Sequence, residues 1–63
     1  EVNEEDQEFL KGMAVACEEL VGVGKAKEAS QMLDEAMLDS EQKLWLWGLL
    51  TAPTRSAIKK QKG

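Results

Sequence analysis

The sequence predicts an all-α fold, one small bundle of three main helices plus a short C-terminal helix, with residues 1–63 as a single domain. Three observations carry this. Apolar residues recur three and four positions apart, the period of a helix face, and no stretch alternates as a strand would. Breakers divide the periodic stretches at Val21–Gly24, Leu38–Ser40 and Thr51–Thr54. Two stretches open on pairs spaced as capping boxes, Asn3 with Asp6 and Asp39 with Gln42.

The first helix is expected from about Glu4 to Leu20 or Val21, after a frayed lead-in at Glu1–Glu5. Acids in its first turn suit the positive helix end. Phe9, Leu10, Met13, Ala16, Cys17, Leu20 and Val21 share one face. Gly12 costs about 1 kcal/mol relative to Ala within a helix. Close approach of another helix would explain it. Gly22 and Gly24 then end the helix.

The second helix is expected over about Lys25 to Leu38, with Ala26, Ala29, Leu33, Ala36 and Met37 as its stripe. The short connection makes the first two helices an antiparallel hairpin. Gly24-x-Ala26-x-x-Ala29-x-x-x-Leu33-x-x-Ala36-Met37 resembles the second helix of a tetratricopeptide repeat. No second copy stands at that family's period, and the first helix lacks its Trp and Gly-Tyr pattern, so the likeness reads as convergent hairpin packing.

Asp39 caps a third helix from about Ser40 to Leu50, and Thr51 is placed to cap a fourth from about Ala52 to Lys60. Pro53 suits a first turn. The third helix holds both tryptophans. Stepping about 100° per residue from Leu44, apolar side chains surround it. Such a helix is either buried on every side or shows part of itself to a partner. Trp45, Leu46 and Leu49 form the best apolar arc and are expected to face Phe9, Met13, Leu20, Leu33 and Met37. Trp47 lies between Lys43 and Ser40 and is the expected partly exposed aromatic. The competing expectation is that the fourth helix folds back and lays Ala57 and Ile58 over Trp47.

Charge is unevenly placed. The net charge is −4. Residues 1–41 hold all twelve acids against three lysines, a net −9, and residues 42–63 hold five bases and no acid, +5. One reading is that the two ends neutralise each other. The other is a basic end aimed at an acidic partner. Arg55, Lys59 and Lys62 are spaced to line one ridge, and an acidic body argues against tight duplex binding.

Several functions are not expected. Histidine is absent and Cys17 is the single cysteine, so neither a zinc site nor an intrachain disulfide is expected. Cys17 sits on an apolar face, where a thiol is usually inert. No catalytic constellation is found, and no enzyme activity or cofactor is expected. There is no membrane-spanning run and no leader pattern. A cytoplasmic home is therefore expected. The chain opens without Met, as a piece of a longer protein would.

Ser40-Glu41-Gln42-Lys43-Leu44-Trp45-Leu46-Trp47-Gly48-Leu49-Leu50, followed by Thr54-Arg55-Ser56-Ala57-Ile58-Lys59, resembles a recurrent ending of phage and prophage DNA-metabolism proteins. The resemblance implies an accessory helical domain that docks a larger protein onto a replication or recombination partner.

The role expected from these residues is a non-catalytic interaction module. Lys43, Trp47, Arg55, Lys59 and Lys62 would bind a protein partner through an acidic, partly apolar segment. The alternatives are single-stranded nucleic-acid binding by the same groups and self-association through the tryptophan helix.

Overall fold

The computed structural model describes residues 1–62. Among these it contains four α-helices and no strand: α1 (Glu4–Gly22), α2 (Ala26–Glu35), α3 (Ser40–Leu49) and α4 (Ala52–Lys60). The chain is all-α. The division into three main helices and a short fourth is met in part: α1 has 19 residues, and α2, α3 and α4 have 10, 10 and 9.

Local chemistry sets the helix ends. The Asn3 side chain accepts from the Asp6 N–H at 2.8 Å, satisfying one of the free donors at the start of α1. The lead-in is not frayed. Val2 is buried in the core, and its carbonyl accepts from Gln7 Nε2 at 3.0 Å. At the other end Gly24 takes φ +80°, a conformation open to glycine, and Lys25 N–H returns to Leu20 O at 2.7 Å.

Helix α2 stops earlier than its apolar stripe suggested. Met37 adopts φ 52°, the left-handed conformation, and its side chain is 87% exposed. The turn this makes sends Leu38 back against the core and frees Asp39 to cap the next helix. The capping box of α3 is complete: Gln42 N–H to Asp39 Oδ1 at 2.8 Å, and Asp39 N–H to Gln42 Oε1 at 3.0 Å. Gln42 Nε2 also donates to Asp6 Oδ2 at 3.2 Å, tying the start of α3 to the start of α1.

Helix α1 is the hub. It packs against α2, α3 and α4, and α4 packs on α2. The tryptophan helix therefore rests mainly on α1 rather than across the first pair. The core is Leu10, Met13, Ala14 and Cys17 from α1, Ala29 from α2, Leu46 and Leu50, and Ile58 from α4, with Val2 at one end. Full burial of a leucine such as Leu10 or Leu46 is worth about 1.5–3 kcal/mol. Leu20, Leu33, Trp45 and Trp47 pack around that centre, partly buried.

Three residues expected in the core lie outside it. Phe9, Met37 and Leu49 are exposed. For Phe9 the reason is the narrowness of the seam: with α1 buried along Leu10, Met13, Ala14 and Cys17, Phe9 falls at its edge. For Leu49 it is the position of α3, which turns Leu46 inward and leaves Leu44 and Leu49 out. Gly12 does not mark a close helix contact either, since a Cβ added there would meet nothing within 4 Å.

Candidate functional site

A cleft of ≈ 260 Å³ opens where the end of α2, the first turns of α3 and the end of α4 converge. Its wall is apolar: Leu33 and Leu38 from one side, Leu44, Leu46 and Trp47 from another, and Ile58 beneath. Its rim is charged, with Lys43, Lys59, Lys62 and Asp34. The early end of α2 supplies one of its walls, Leu38. Had α2 continued, Leu38 would sit on a helical face instead of in the turn that supplies a wall.

Trp47 is held from two sides. Arg55 Nη1 donates to Trp47 O at 3.2 Å and to Leu50 O at 3.0 Å. These carbonyls lie at the C-terminal end of α3, where intrahelical donors are lacking and a cation is favoured. Lys59 Nζ lies 6.0 Å from the Trp47 ring centroid, the outer range of a cation–π contact. The indole is partly buried, packed on the core below and open toward the cleft. Ile58 is fully buried and lines the same cleft, so α4 does fold back beside Trp47 without closing it off.

Of the five residues picked out from sequence, Lys43, Trp47, Lys59 and Lys62 line this one cleft. Arg55 does not. Its side chain turns inward to the α3 carbonyls, so it positions Trp47 from behind rather than forming a ridge with Lys59 and Lys62. Lys62 is ion-paired with Asp34 across the cleft edge. Among the described residues, Lys43 and Lys59 have no carboxylate in salt-bridge range, and so remain the available cations of the rim.

A second polar cluster was not foreseen. Glu18 is not a solvated acid of α1. It accepts from Thr51 N–H at 2.7 Å, from Thr54 Oγ1 at 2.6 Å and from Thr51 Oγ1 at 3.0 Å. It thus caps α4 from another helix, the role expected of Thr51 itself, whose side chain makes no cap bond of its own. The Thr51 N–H, then the Thr54 hydroxyl, hold the Glu18 carboxyl below its usual range, with Thr51 Oγ1 and Arg55 adding to the effect. Thr54 is buried, and its hydroxyl is satisfied by Glu18 across the interface and by the neighbouring Thr51 hydroxyl, which donates to it at 3.1 Å. Nearby, burial pushes the Cys17 thiol up, with the Glu18 charge adding to it, as expected for an unreactive core cysteine.

The cleft residues that sequence reading passed over are Leu38, Leu44 and Asp34; Ile58 was expected beside Trp47, as part of a lid rather than of a cleft wall. Only Leu44 carried a signal, its place on a helix with no polar face. Among the described residues no helix is long and apolar enough to cross a membrane, and no group of three or more His, Cys, Asp or Glu could hold a metal ion. No family model, curated protein or solved structure matches the chain.

Proposed function

We propose that this chain is a non-catalytic docking module whose cleft takes an acidic, partly apolar peptide segment. The single observation that carries the reading is the union of an apolar cleft with two rim lysines that, among the described residues, have no carboxylate partner. An apolar side chain of the partner would rest on Trp47 and Leu44. Carboxylates flanking it would meet Lys43 and Lys59. Tryptophan in a preformed recess is a common energetic anchor of interfaces, and rim charges supply steering and selectivity more than raw affinity. The likeness of residues 40–59 to phage and prophage DNA-metabolism proteins makes a replication or recombination protein the first partner class to try. Single-stranded nucleic acid is less well supported, because Arg55 is spent on backbone carbonyls and the expected basic ridge is incomplete.

The test uses Trp45→Phe, which leaves Trp47 as the sole indole. Titration with a short peptide carrying acids around two leucines should shift Trp47 emission, and Lys43→Glu with Lys59→Glu should abolish the shift. A basic peptide of the same apolar content should be silent. Emission unchanged by the acidic peptide at millimolar concentration would refute the reading.

A further inference from the structure

The chain itself carries a surface of the kind its cleft should accept. On the outer side of α1, Phe9 is 57% and Val15 58% exposed. On a helical wheel of about 100° per residue, Gly12 falls midway between them. Glu5, Glu8 and Glu19 lie within the same exposed arc, with Glu8 in an exposed ion pair with Lys11 at 3.2 Å that a stronger partner would have to replace. This is an acidic helix face with two apolar side chains and a flat centre. No neighbouring helix packs on that centre within one molecule: nothing lies within 4 Å of the position a Gly12 Cβ would take, as is also true of Gly48 in α3. A glycine kept mid-helix without an internal packing reason is a local conflict of the sort that marks a functional surface.

The face and the cleft cannot meet within one chain. The cleft is lined by α2, Leu38 of the following turn, α3, α4 and Lys62, and no residue of α1 contributes to it. Their charges are complementary, lysine rim against glutamate-flanked ridge. We propose that the segment entering the cleft is the outer face of α1 from a second copy of this chain, with Phe9 against Trp47 and Glu5 and Glu8 toward Lys43 and Lys59. The contact joins two different surfaces, so repetition carries copies head to tail into a ring or a filament. This rests on the docking reading given above and names its occupant.

Two variants with exposed substitutions separate the halves of the contact. Phe9→Gln with Gly12→Gln blocks the face, and Lys43→Glu with Lys59→Glu blocks the cleft; circular dichroism checks that both fold. In sedimentation velocity the wild-type mass should rise with concentration past that of two chains and fall back as salt is added. Each variant alone should sediment as a single chain. An equimolar mixture of the two should give a species of two chains and nothing larger, since each contributes its one intact surface. Wild type remaining a single chain at every concentration overturns the inference. If the acidic peptide still shifts Trp47 emission in that case, the docking reading survives it; if the peptide is silent as well, both fall. Association that persists in either variant, or a mixture that forms no two-chain species, overturns it too.

Discussion

Leu44 and Leu46 stand two residues apart on one helix and live in different worlds. Leu46 is 1% exposed at the centre of the core, and Leu44 is 73% exposed at the mouth of the cleft. The same contrast separates their surroundings. The α1 seam is closed by three other helices, whereas the cleft side of α3 is closed by none. Three other helices cannot enclose an element that is apolar all round. A leucine inside the seam specifies the fold, and a leucine at the mouth is available for something else.

The largest effect that tests this contrast is Leu46→Ala. A buried leucine truncated to alanine costs about 2–5 kcal/mol, depending on how far the site collapses. A domain of this size has little stability in reserve. We expect cooperative thermal melting to be lost or shifted sharply downward, followed by far-ultraviolet circular dichroism. A melt within a few degrees of wild type would mean that α3 is not anchored through Leu46.

The second test reaches the other end of the seam, where α4 is tied to α1. The Glu18 carboxyl is held below its usual 4.5 by donors that exist only when α4 is docked. Between the folded and the unfolded values the unfolded chain binds the extra proton, so stability rises with pH there. The contribution is complete above pH 4.5 and is lost as pH falls through the folded-state value. The difference in Tm between wild type and Glu18→Gln should therefore be constant above that pH and narrow below it. A pH-independent difference would show that charge on Glu18 is not what caps α4.

How legible each region was follows from the same contrast. The seam could be read because Leu10, Met13 and Cys17 recur at helical spacing opposite acids, and period alone identifies such a face. The caps at Asn3 and Asp39 were readable because both partners lie within one turn. The cleft was readable only in its charged rim and in Trp47. Its walls depend on Met37 leaving the helix, and nothing local announces that: methionine is a good helix former and an unusual left-handed residue. The Glu18 cap was invisible for another reason. Its donors are 33 and 36 residues away, and no short-range pattern records a bond across that span. The tryptophan helix gave the right warning, apolar surface reaching solvent, but the wheel could not say that Leu44 and Leu49 would emerge more than Trp47.

Met37 sharpens the comparison from the cleft side. A non-glycine residue in the left-handed region costs about 1–2 kcal/mol, and glycine is the usual occupant of that position after a helix. Its side chain is exposed, so little packing is lost by removing it. Met37→Gly should therefore raise stability by up to about 1 kcal/mol, read as an increase in the urea midpoint with unchanged slope. A fall in the midpoint would mean the methionine side chain contributes to the turn in a way its exposure conceals.

The smallest expected effect is the most discriminating. Leu44→Ala removes an apolar side chain as large as that of Leu46, from the same helix and at a comparable distance from its ends. It should change stability by no more than about 0.5 kcal/mol, because most of the side chain already lies in water. It also replaces leucine by a better helix former, which offsets part of what packing is lost. The same substitution should weaken binding of the acidic peptide, since Leu44 forms one wall of the cleft. Stability and binding thus separate at Leu44 and cannot be separated at Leu46. A destabilisation at Leu44 close to that at Leu46 would show that the mouth of the cleft is closed in solution, and the division between a sealed seam and an open cleft would go with it.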